Sequence, residues 1–323
     1  MKIMEKTAKQ KDLSFNTLWQ KFGTLGILLL LLLILAVLRP ESIFSTQSIP
    51  QILTQSSVNI LMAVGEFFAI LIAGIDLSVG SVAALTGMLT AKFMVGGMNP
   101  ALAILFGIVI GGSLGLINGL LVNSTGLHPF IITLGTQAIF RGITLIISNA
   151  RSVFGFPAEF TTGIGGDLVG IPVPVIVAVV VALFLAFLTI KTKVGRNIYA
   201  MGGNPQAAWF SGINVKLHTL IVFLTSGICS GIAGIVLLGR VGAAEPAAAT
   251  GFETYAIAAA IIGGTSFFGG KGKIFGVVMG GLIIGVINYG MNVLTVSSSY
   301  QQIVMGALII ISVALDRFVA SKK

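Results

Sequence analysis

The stretch FGTLGILLLLLLILAVL, residues 22–38, lies between Lys21 and Arg39 and contains no charged side chain. An α-helix rises about 1.5 Å per residue and the hydrocarbon core of a bilayer is about 30 Å thick, so this run has the length of a membrane-spanning helix. It is longer than the apolar core of a usual secretory signal peptide, and no A-x-A-like cleavage site follows it. We therefore predict an uncleaved first transmembrane helix.

Nine more apolar runs, separated by charges or by proline and glycine, follow along the 323 residues. The chain is 55% hydrophobic and only 9% charged, whereas soluble proteins carry roughly 25% charged residues, which excludes a soluble globular domain. The sequence predicts an all-α fold, a polytopic membrane helix bundle with about ten transmembrane helices. The run at 254–268 is short, so it is expected to be tilted, extended at its ends or partly re-entrant. The nine runs are about 50–73, 78–95, 100–122, 129–148, 172–190, 217–239, 254–268, 274–294 and 300–315.

The basic residues are distributed unevenly over the connections between these runs. If the N-terminus is cytoplasmic, ten crossings place most of the 19 Lys and Arg residues on the cytoplasmic side, in agreement with the positive-inside rule. The net charge of +9 therefore reflects membrane orientation rather than binding to nucleic acid. We predict cytoplasmic N- and C-termini. The predicted segments are a basic tail at 1–21, a single transmembrane domain at 22–316 with a long cytoplasmic loop at 191–216, and a cytoplasmic tail at 317–323.

Two polar, glycine-flanked breaks resemble each other. One reads GIDLSVGSVAAL at 74–85, and the other reads GGTSFFGGKGKIFG at 263–276. The offset is six crossings if the second run is matched to the eighth, or five if runs two to five are matched to runs seven to ten. A five-crossing offset reverses the direction of the second half, which is the inverted-repeat arrangement common in transporters. We predict an inverted repeat.

Ionisable and amide side chains inside the apolar runs are candidates for a translocation path. Each charged group at the centre of a bilayer costs at least about 2.5 kcal/mol, so it needs a partner or a role. Such groups contact substrate or a gate, or they form a buried ion pair or extend to the interface. The amides either line a wet pathway for a hydroxylated solute or bind neighbouring helices. The candidates are Asn59, Glu66, Asn118, Gln137, Arg141, Asn288 and Asn292.

The residues that are absent narrow the function further. Few carboxylates lie within the runs, in contrast to most proton- or sodium-driven carriers. The sequence contains no Ser/His/Asp or Cys–His grouping that would predict an enzyme. It has one Cys and two His, which are not spaced as metal ligands, so no metal site is predicted. The segment SFFGGKGK fails the phosphate-binding pattern GxxxxGK[ST], since Thr265 replaces the first glycine and Gly272 follows Lys271. We expect no cofactor on this chain, and the energy for active transport is expected from another subunit.

The loop at 191–216 contains a short helix with an apolar surface. The GGNP sequence is expected to open this helix at Pro205, and Ser211 and Gly212 are expected to end it. Ala207, Ala208, Trp209, Phe210 and Ile213 supply the apolar surface. Such a helix either docks in a groove of a partner or lies in the membrane interface.

Several motifs together resemble the permease subunit of bacterial ABC sugar importers of the ribose type, a family that also serves allose, xylose, arabinose and galactose. The resemblance covers essentially the whole chain. The motifs are SVNILMAVG at 57–65, GIDLSVGS at 74–81, GRNIYAMGGNPQAAWFSGINV at 195–215, ATGFETYAIAA at 249–259 and GGTSFFGGKGKIFG at 263–276.

The resemblance implies roles for two groups of residues. Asn204, Gln206, Ala207, Ala208 and Gly212 match the segment that couples the permease to an ATPase, and Gln206 stands where a glutamate is frequent. Gly74, Asp76, Ser78 and Gly80 match a signature in which Asp76 or Ser78 is expected to cap the next helix. A role of this signature in gating is the alternative.

The resemblance also implies a complete machine. This chain is expected to be a permease subunit in the bacterial inner membrane that moves a monosaccharide, either a ribose-type pentose or a hexose such as allose. A periplasmic binding protein delivers the sugar, a second permease subunit (a homodimer) completes the channel, and a cytoplasmic ABC ATPase binds ATP and Mg. The alternatives are the same architecture with a non-sugar cargo, such as a furanosyl signal or a nucleoside, and an ATP-independent secondary carrier.

Overall fold

The computed structural model describes residues 15–320 as a bundle of α-helices with one two-stranded hairpin. The hairpin consists of β1 (Asp167–Leu168) and β2 (Ile171–Pro172), which pair antiparallel just before α8. The helices are α1 (Phe15–Leu38), α2 (Pro40–Ile43), α3 (Ser48–Leu71), α4 (Val79–Val95), α5 (Pro100–Thr125), α6 (Pro129–Ser148), α7 (Ala158–Ile164), α8 (Val173–Lys191), α9 (Lys193–Gly203), α10 (Pro205–Phe210), α11 (Val215–Val241), α12 (Phe252–Ile262), α13 (Ile274–Val293) and α14 (Ser298–Ala320).

Each of the ten predicted apolar runs overlaps one helix; these helices are α1, α3, α4, α5, α6, α8, α11, α12, α13 and α14. Within residues 15–320, six of these are long and apolar enough to cross a membrane, namely α3, α5, α6, α8, α11 and α13. Shorter apolar helical stretches lie in α1, α4, α12 and α14. The protein is therefore an all-α membrane bundle. Of the predicted tails at 1–21 and 317–323, residues 1–14 and 321–323 lie outside the described residues, whereas 15–21 and 317–320 are helical and belong to α1 and α14.

The run at 254–268 is the largest difference from the sequence prediction. Its helix, α12, has 11 residues and ends at Ile262. At about 1.5 Å per residue, such a helix extends about half the thickness of the hydrocarbon core. Gly263 and Gly264 end α12 because Gly264 adopts a φ of +86°, a left-handed conformation that few other residues adopt. Helix α12 begins two residues before the predicted run but ends six residues before the end of that run, so it is shorter than the run.

The centre of the bundle is formed by α3 and α11, which pack against each other. Around them the packing repeats. Helix α11 packs against α5 and α4, and α3 packs against α13 and α12. Likewise, α4 packs against α5 and α6, and α12 packs against α13 and α14. The segments α3–α6 and α11–α14 thus have corresponding neighbours.

Close packing between α5 and α11 depends on small residues. Gly111 and Gly115, which are four residues apart on α5, lie against the backbone of Gly227 on α11. In lipid, small residues let helix backbones approach and gain van der Waals contact where no hydrophobic force drives the helices together. This interface fixes the position of α11, which contributes Ser226 to the polar cluster described below.

Candidate functional site

The non-helical segment 72–78, between α3 and α4, lies inside the bundle. Its backbone polar groups are satisfied by side chains. The Asp76 N–H donates to Glu66 Oε1 at 3.1 Å, and the Ser78 N–H donates to Asp76 Oδ1 at 3.0 Å. The Thr133 hydroxyl of α6 donates to the Ile75 carbonyl at 2.8 Å. Since lipid offers no partner to free backbone groups, these three side chains allow the helix to be broken here.

Asp76 is the centre of this cluster. Its carboxylate also accepts hydrogen bonds from the hydroxyls of Ser78, at 2.6 Å, and of Ser226 on α11, at 2.7 Å. The Asn118 amide of α5 donates to the Ser78 hydroxyl at 2.8 Å. All four residues are buried. The Ser78 side chain makes no capping hydrogen bond to α4, so of the two expected caps only Asp76 contacts a free N–H.

Glu66 is completely buried, with 0% of its surface exposed. Its Oε1 accepts from Asp76, whereas Oε2 has no hydrogen-bond partner within residues 15–320. Arg141, the other ionisable residue expected deep in a helix, is engaged elsewhere, so the two do not form the ion pair that the sequence left open. We call the cluster of Glu66, Asp76, Ser78, Asn118 and Ser226 the sealed break.

A second non-helical segment, 242–251, joins α11 to the short helix α12. Here a positively charged side chain donates hydrogen bonds to the backbone carbonyls. The Arg141 guanidinium of α6 donates from Nη1 to the carbonyls of Pro246, at 2.7 Å, and Ala248, at 2.8 Å. One turn away on α6, the Gln137 amide donates to Glu253 Oε1 at 2.9 Å. Because Gln137 lies near the middle of α6, the N-terminus of α12 lies at that depth.

These residues line an open cleft between α6 and the segment before α12. Its volume is about 400 Å³, and its polar lining consists of Gln137, Arg141, Thr250 and Glu253. Leu134 and Ala138 contribute apolar surface from α6. In contrast to the sealed break, Gln137 and Arg141 are partly exposed and Thr250 is exposed. We call this site the open cleft.

Gly80, at the start of α4, brings the sealed break and the open cleft together. A Cβ atom at this position would lie 2.5 Å from the Ala249 carbonyl oxygen and 2.7 Å from Glu253 Oε2. Only glycine permits that approach. The N-termini of α4 and α12 therefore meet inside the bundle, one from each half of the chain.

The remaining candidates for a path lie elsewhere. Asn59 on α3 and Asn288 on α13 are buried. Asn292 is exposed and accepts a hydrogen bond from Gln301 at 2.9 Å. It lines a separate cleft of about 560 Å³ with Gln51 and Arg240, at the ends of α3, α11 and α13. The described hydrogen bonds connect none of these three asparagines to the open cleft.

The predicted short helix of the long loop is α10, which begins at Pro205 and ends at Phe210 as expected. The Asn204 side chain caps it by accepting from the Ala207 N–H at 2.9 Å. Gly212 follows with a φ of +82°. Ala208 faces inward, whereas Gln206 and Ala207 are exposed, together with Trp209 and Phe210, which are 62% and 80% exposed. These residues form an exposed surface on α10.

Helix α9 fixes α10 to the bundle. A Cβ atom on Gly202 would lie 1.7 Å from the Leu71 carbonyl oxygen, so α9 contacts the end of α3 directly. The Gly270 N–H donates to the same carbonyl at 2.9 Å. The Tyr199 hydroxyl donates to the Gly272 carbonyl at 2.8 Å, and burial raises the pKa of this phenol, which keeps the donor protonated. A displacement of α10 would therefore reach α3 and the segment 263–273.

Sequence reasoning missed three residues of these sites: Tyr199, Ser226 and Glu253. Glu253 stands one residue before the predicted run 254–268, so it was assigned to no helix, although a carboxylate at the edge of an apolar run is a recognisable signal. The other two are hydroxyl residues of common type, and only the packing of distant helices identifies them.

Comparison with known proteins places the chain in a family. Residues 48–313 match the family described as branched-chain amino acid transport system / permease component. The chain belongs to this family. It is thus a multi-pass integral membrane protein and a component of a transport system rather than an enzyme. No solved structure matches the chain.

Several relatives are similar over nearly their whole length. The chain is 58% identical to the D-allose transport system permease protein of Escherichia coli K12, covering 99% of this chain and 98% of the relative. It is 42% identical to the ribose import permease protein of Bacillus subtilis 168, covering 98% and 99%. It is 36% identical to the galactose/methyl galactoside import permease protein of Salmonella typhimurium LT2, covering 96% and 98%.

Proposed function

We propose that this chain is the permease subunit of an ATP-driven importer of a monosaccharide, either a hexose such as allose or a ribose-type pentose. The observation that carries the proposal is the 58% identity, over 99% of the chain, to a D-allose permease. The ribose and galactose permeases support the same class of cargo. The family description names branched-chain amino acids, so leucine is the competing cargo in any transport assay.

The proposed topology has ten crossings of the bacterial inner membrane and cytoplasmic termini, with a permease domain at 22–316. Contacts between connections support it. The Tyr199–Gly272 hydrogen bond joins the loop 191–216 to the segment 263–273, and both are basic. The Leu71–Gly270 hydrogen bond places the end of α3 at the same end of the bundle. Lys92 donates to the Ile147 carbonyl, which brings the ends of α4 and α6 together at the predicted outer face. The short α12 crosses together with its preceding non-helical segment.

An inverted repeat with a five-crossing offset is part of the proposal. It pairs α3–α6 with α11–α14, and exchanging the two sets maps the α11–α5 contact onto α3–α13 and the α4–α6 contact onto α12–α14. It also pairs the sealed break with the segment before α12. Both halves then present a helix N-terminus inside the bundle, the arrangement that transporters use near the membrane midplane.

The proposed partners rest on the family and, for the ATPase, on the exposed surface of α10. A cytoplasmic ABC ATPase, which holds the ATP and Mg, docks on α10 through Trp209 and Phe210. Since Gln206 is uncharged, this contact is apolar rather than an ion pair. ATP binding moves α10, and α9 transmits the movement to the end of α3 and to segment 263–273, so that the helices repack around a central path. A second copy of the chain and a periplasmic sugar-binding protein complete the importer.

Reconstitution tests the proposal. The chain is purified with the ATPase and binding protein that accompany it in mild detergent, and uptake of labelled allose, ribose, galactose and leucine is measured in proteoliposomes. We expect sugar uptake that depends on ATP and on both partners. Ala207→Arg should abolish coupled uptake while leaving membrane insertion intact, because Ala207 is exposed on the docking surface. Glu159→Gln, at an exposed site on α7, is the matched control.

The alternatives predict different results in the same vesicles. Uptake of sugar by the chain alone, driven by a proton gradient, would identify a secondary carrier and contradict the proposal. ATP-dependent uptake of leucine or of a nucleoside, without sugar uptake, would keep the architecture and overturn the cargo. Full ATP-dependent uptake by the Ala207→Arg variant would remove α10 as the docking surface.

A further inference from the structure

The open cleft has the size and chemistry of a site for a small neutral polyol. Its volume of about 400 Å³ lies within the range of small-molecule pockets, roughly 300–1,000 Å³. It presents a carboxylate, a guanidinium, an amide and a hydroxyl, from Glu253, Arg141, Gln137 and Thr250. The apolar side chains of Leu134 and Ala138 can contact the C–H face of a sugar ring.

The polar groups of the open cleft are fixed before any ligand binds. Gln137 holds Glu253 Oε1 at 2.9 Å, and Arg141 holds two backbone carbonyls through Nη1. A carboxylate accepts about four hydrogen bonds and a guanidinium donates five, so both groups retain capacity for ligand hydroxyls. Glu253 Oε2 is buried beside Gly80, so Oε1, which can accept a second hydrogen bond, is the oxygen that Glu253 offers to a ligand. Such preorganised donors and acceptors favour binding.

The position of the open cleft requires water in front of it. Gln137 lies near the middle of α6, and Arg141 lies one turn further along. Most of α6 is not covered by the rest of the subunit, since only 22% of its apolar window is buried. Charged groups facing lipid at this depth are costly, whereas groups facing a water-filled cavity are not. The second copy of the chain would enclose that cavity.

We propose that the open cleft is a transit site for the sugar, in which Glu253 and Thr250 bind its hydroxyls between the periplasm and the cytoplasm. This inference rests on the proposed function and adds the residues that contact the cargo. The opposite charges of Arg141 and Glu253 offset each other, so the site accepts a neutral solute. A zwitterionic amino acid is also neutral overall, so leucine is the competing ligand for this site in the test below.

The test compares a sugar with its deoxy analogues in the assembled importer. In proteoliposomes containing the permease, the ATPase and the binding protein, Glu253→Gln should lower the rate of sugar uptake about tenfold. It should also reduce the preference for the parent sugar over the deoxy analogue whose missing hydroxyl contacts Glu253. Stimulation of ATP hydrolysis by the sugar-loaded binding protein should remain. Thr250→Val should produce a smaller change of the same kind, and Glu159→Gln should behave as the wild type.

Three outcomes would overturn the transit site. One is an unchanged preference between sugar and deoxy analogues in Glu253→Gln, with normal uptake. Another is a proportional loss of folded protein, ATP hydrolysis and uptake of every sugar, which is the signature of a purely structural residue. The third is uptake of leucine that depends on Glu253. If the wild-type complex moves no sugar at all, the proposed function fails; if it moves sugar and Glu253→Gln matches Glu159→Gln, only the transit site fails.

Discussion

The sealed break and the open cleft solve the same physical problem with opposite charges. In each, a helix starts inside the bundle after a non-helical segment whose backbone groups need partners. Glu66 accepts from a backbone N–H in the first, and Arg141 donates to two carbonyls in the second. The first is fully enclosed, whereas the second borders a cleft of about 400 Å³. The same kind of break can therefore have a structural role in the first half of the chain, at the sealed break, and contact a solute in the second half, at the open cleft.

The difference in burial predicts the largest effect in the sealed break. Asp76→Leu removes the acceptor for the Ser78 N–H and for the hydroxyls of Ser78 and Ser226, and no water can replace it. An unsatisfied buried polar group costs about 1–3 kcal/mol, so we expect a loss of at least about 3 kcal/mol in the free energy of unfolding. Thermal unfolding in detergent measures this loss.

Asp76→Asn is the matched control for that change, since it preserves the shape and one acceptor oxygen. It should retain most of the stability. If Asp76→Leu unfolds at the wild-type temperature, the hydrogen bonds of Asp76 do not stabilise the sealed break, and the expected difference from the open cleft is contradicted.

Losing hydrogen bonds to the backbone should cost less stability in the open cleft than in the sealed break. Arg141→Met removes both hydrogen bonds to the carbonyls of Pro246 and Ala248, but water in the cleft can solvate these carbonyls. We expect a loss of about 1–2 kcal/mol in the free energy of unfolding, with folded protein recovered and sugar uptake reduced. Arg141→Lys, which keeps a donor and the charge, should be intermediate. A loss for Arg141→Met as large as that for Asp76→Leu would mean that the cleft is as dry as the sealed break.

Much of this fold could be predicted from the sequence, because apolar length and glycine breaks are local properties. The runs at 100–122 and 129–148 correspond to α5 and α6, and α10 begins at Pro205 as its Asn-Pro start indicates. The length of α12 could not be predicted in this way. A helix can begin inside the bundle only if other side chains form hydrogen bonds with the backbone of the preceding segment. For α12 this side chain is Arg141, which lies on α6 and is far away in the sequence.

The candidate site was predictable only in its residue types. Polar residues within apolar runs identified Glu66, Asn118, Gln137 and Arg141, but the pattern did not indicate which of them meet. The structure separates them into two groups, Glu66 with Asn118 and Gln137 with Arg141. Asn288 and Asn292 lie one turn apart on α13, but Asn288 is buried and Asn292, near the end of the helix, is exposed.

The smallest expected effect on activity comes from cysteine substitutions, and they test the central claim most directly. Cys229 is buried, so the wild type provides an unreactive background. In the assembled importer in a bilayer, a membrane-impermeant thiol reagent should modify Thr250→Cys, at the open cleft, and should leave Ser226→Cys, in the sealed break, unmodified. Transported sugar should slow the reaction of Thr250→Cys. If Ser226→Cys is modified as fast as Thr250→Cys, the sealed break is open to water and the account is contradicted. The account is also contradicted if Thr250→Cys is not modified in the absence of sugar, since this residue would then face lipid rather than water.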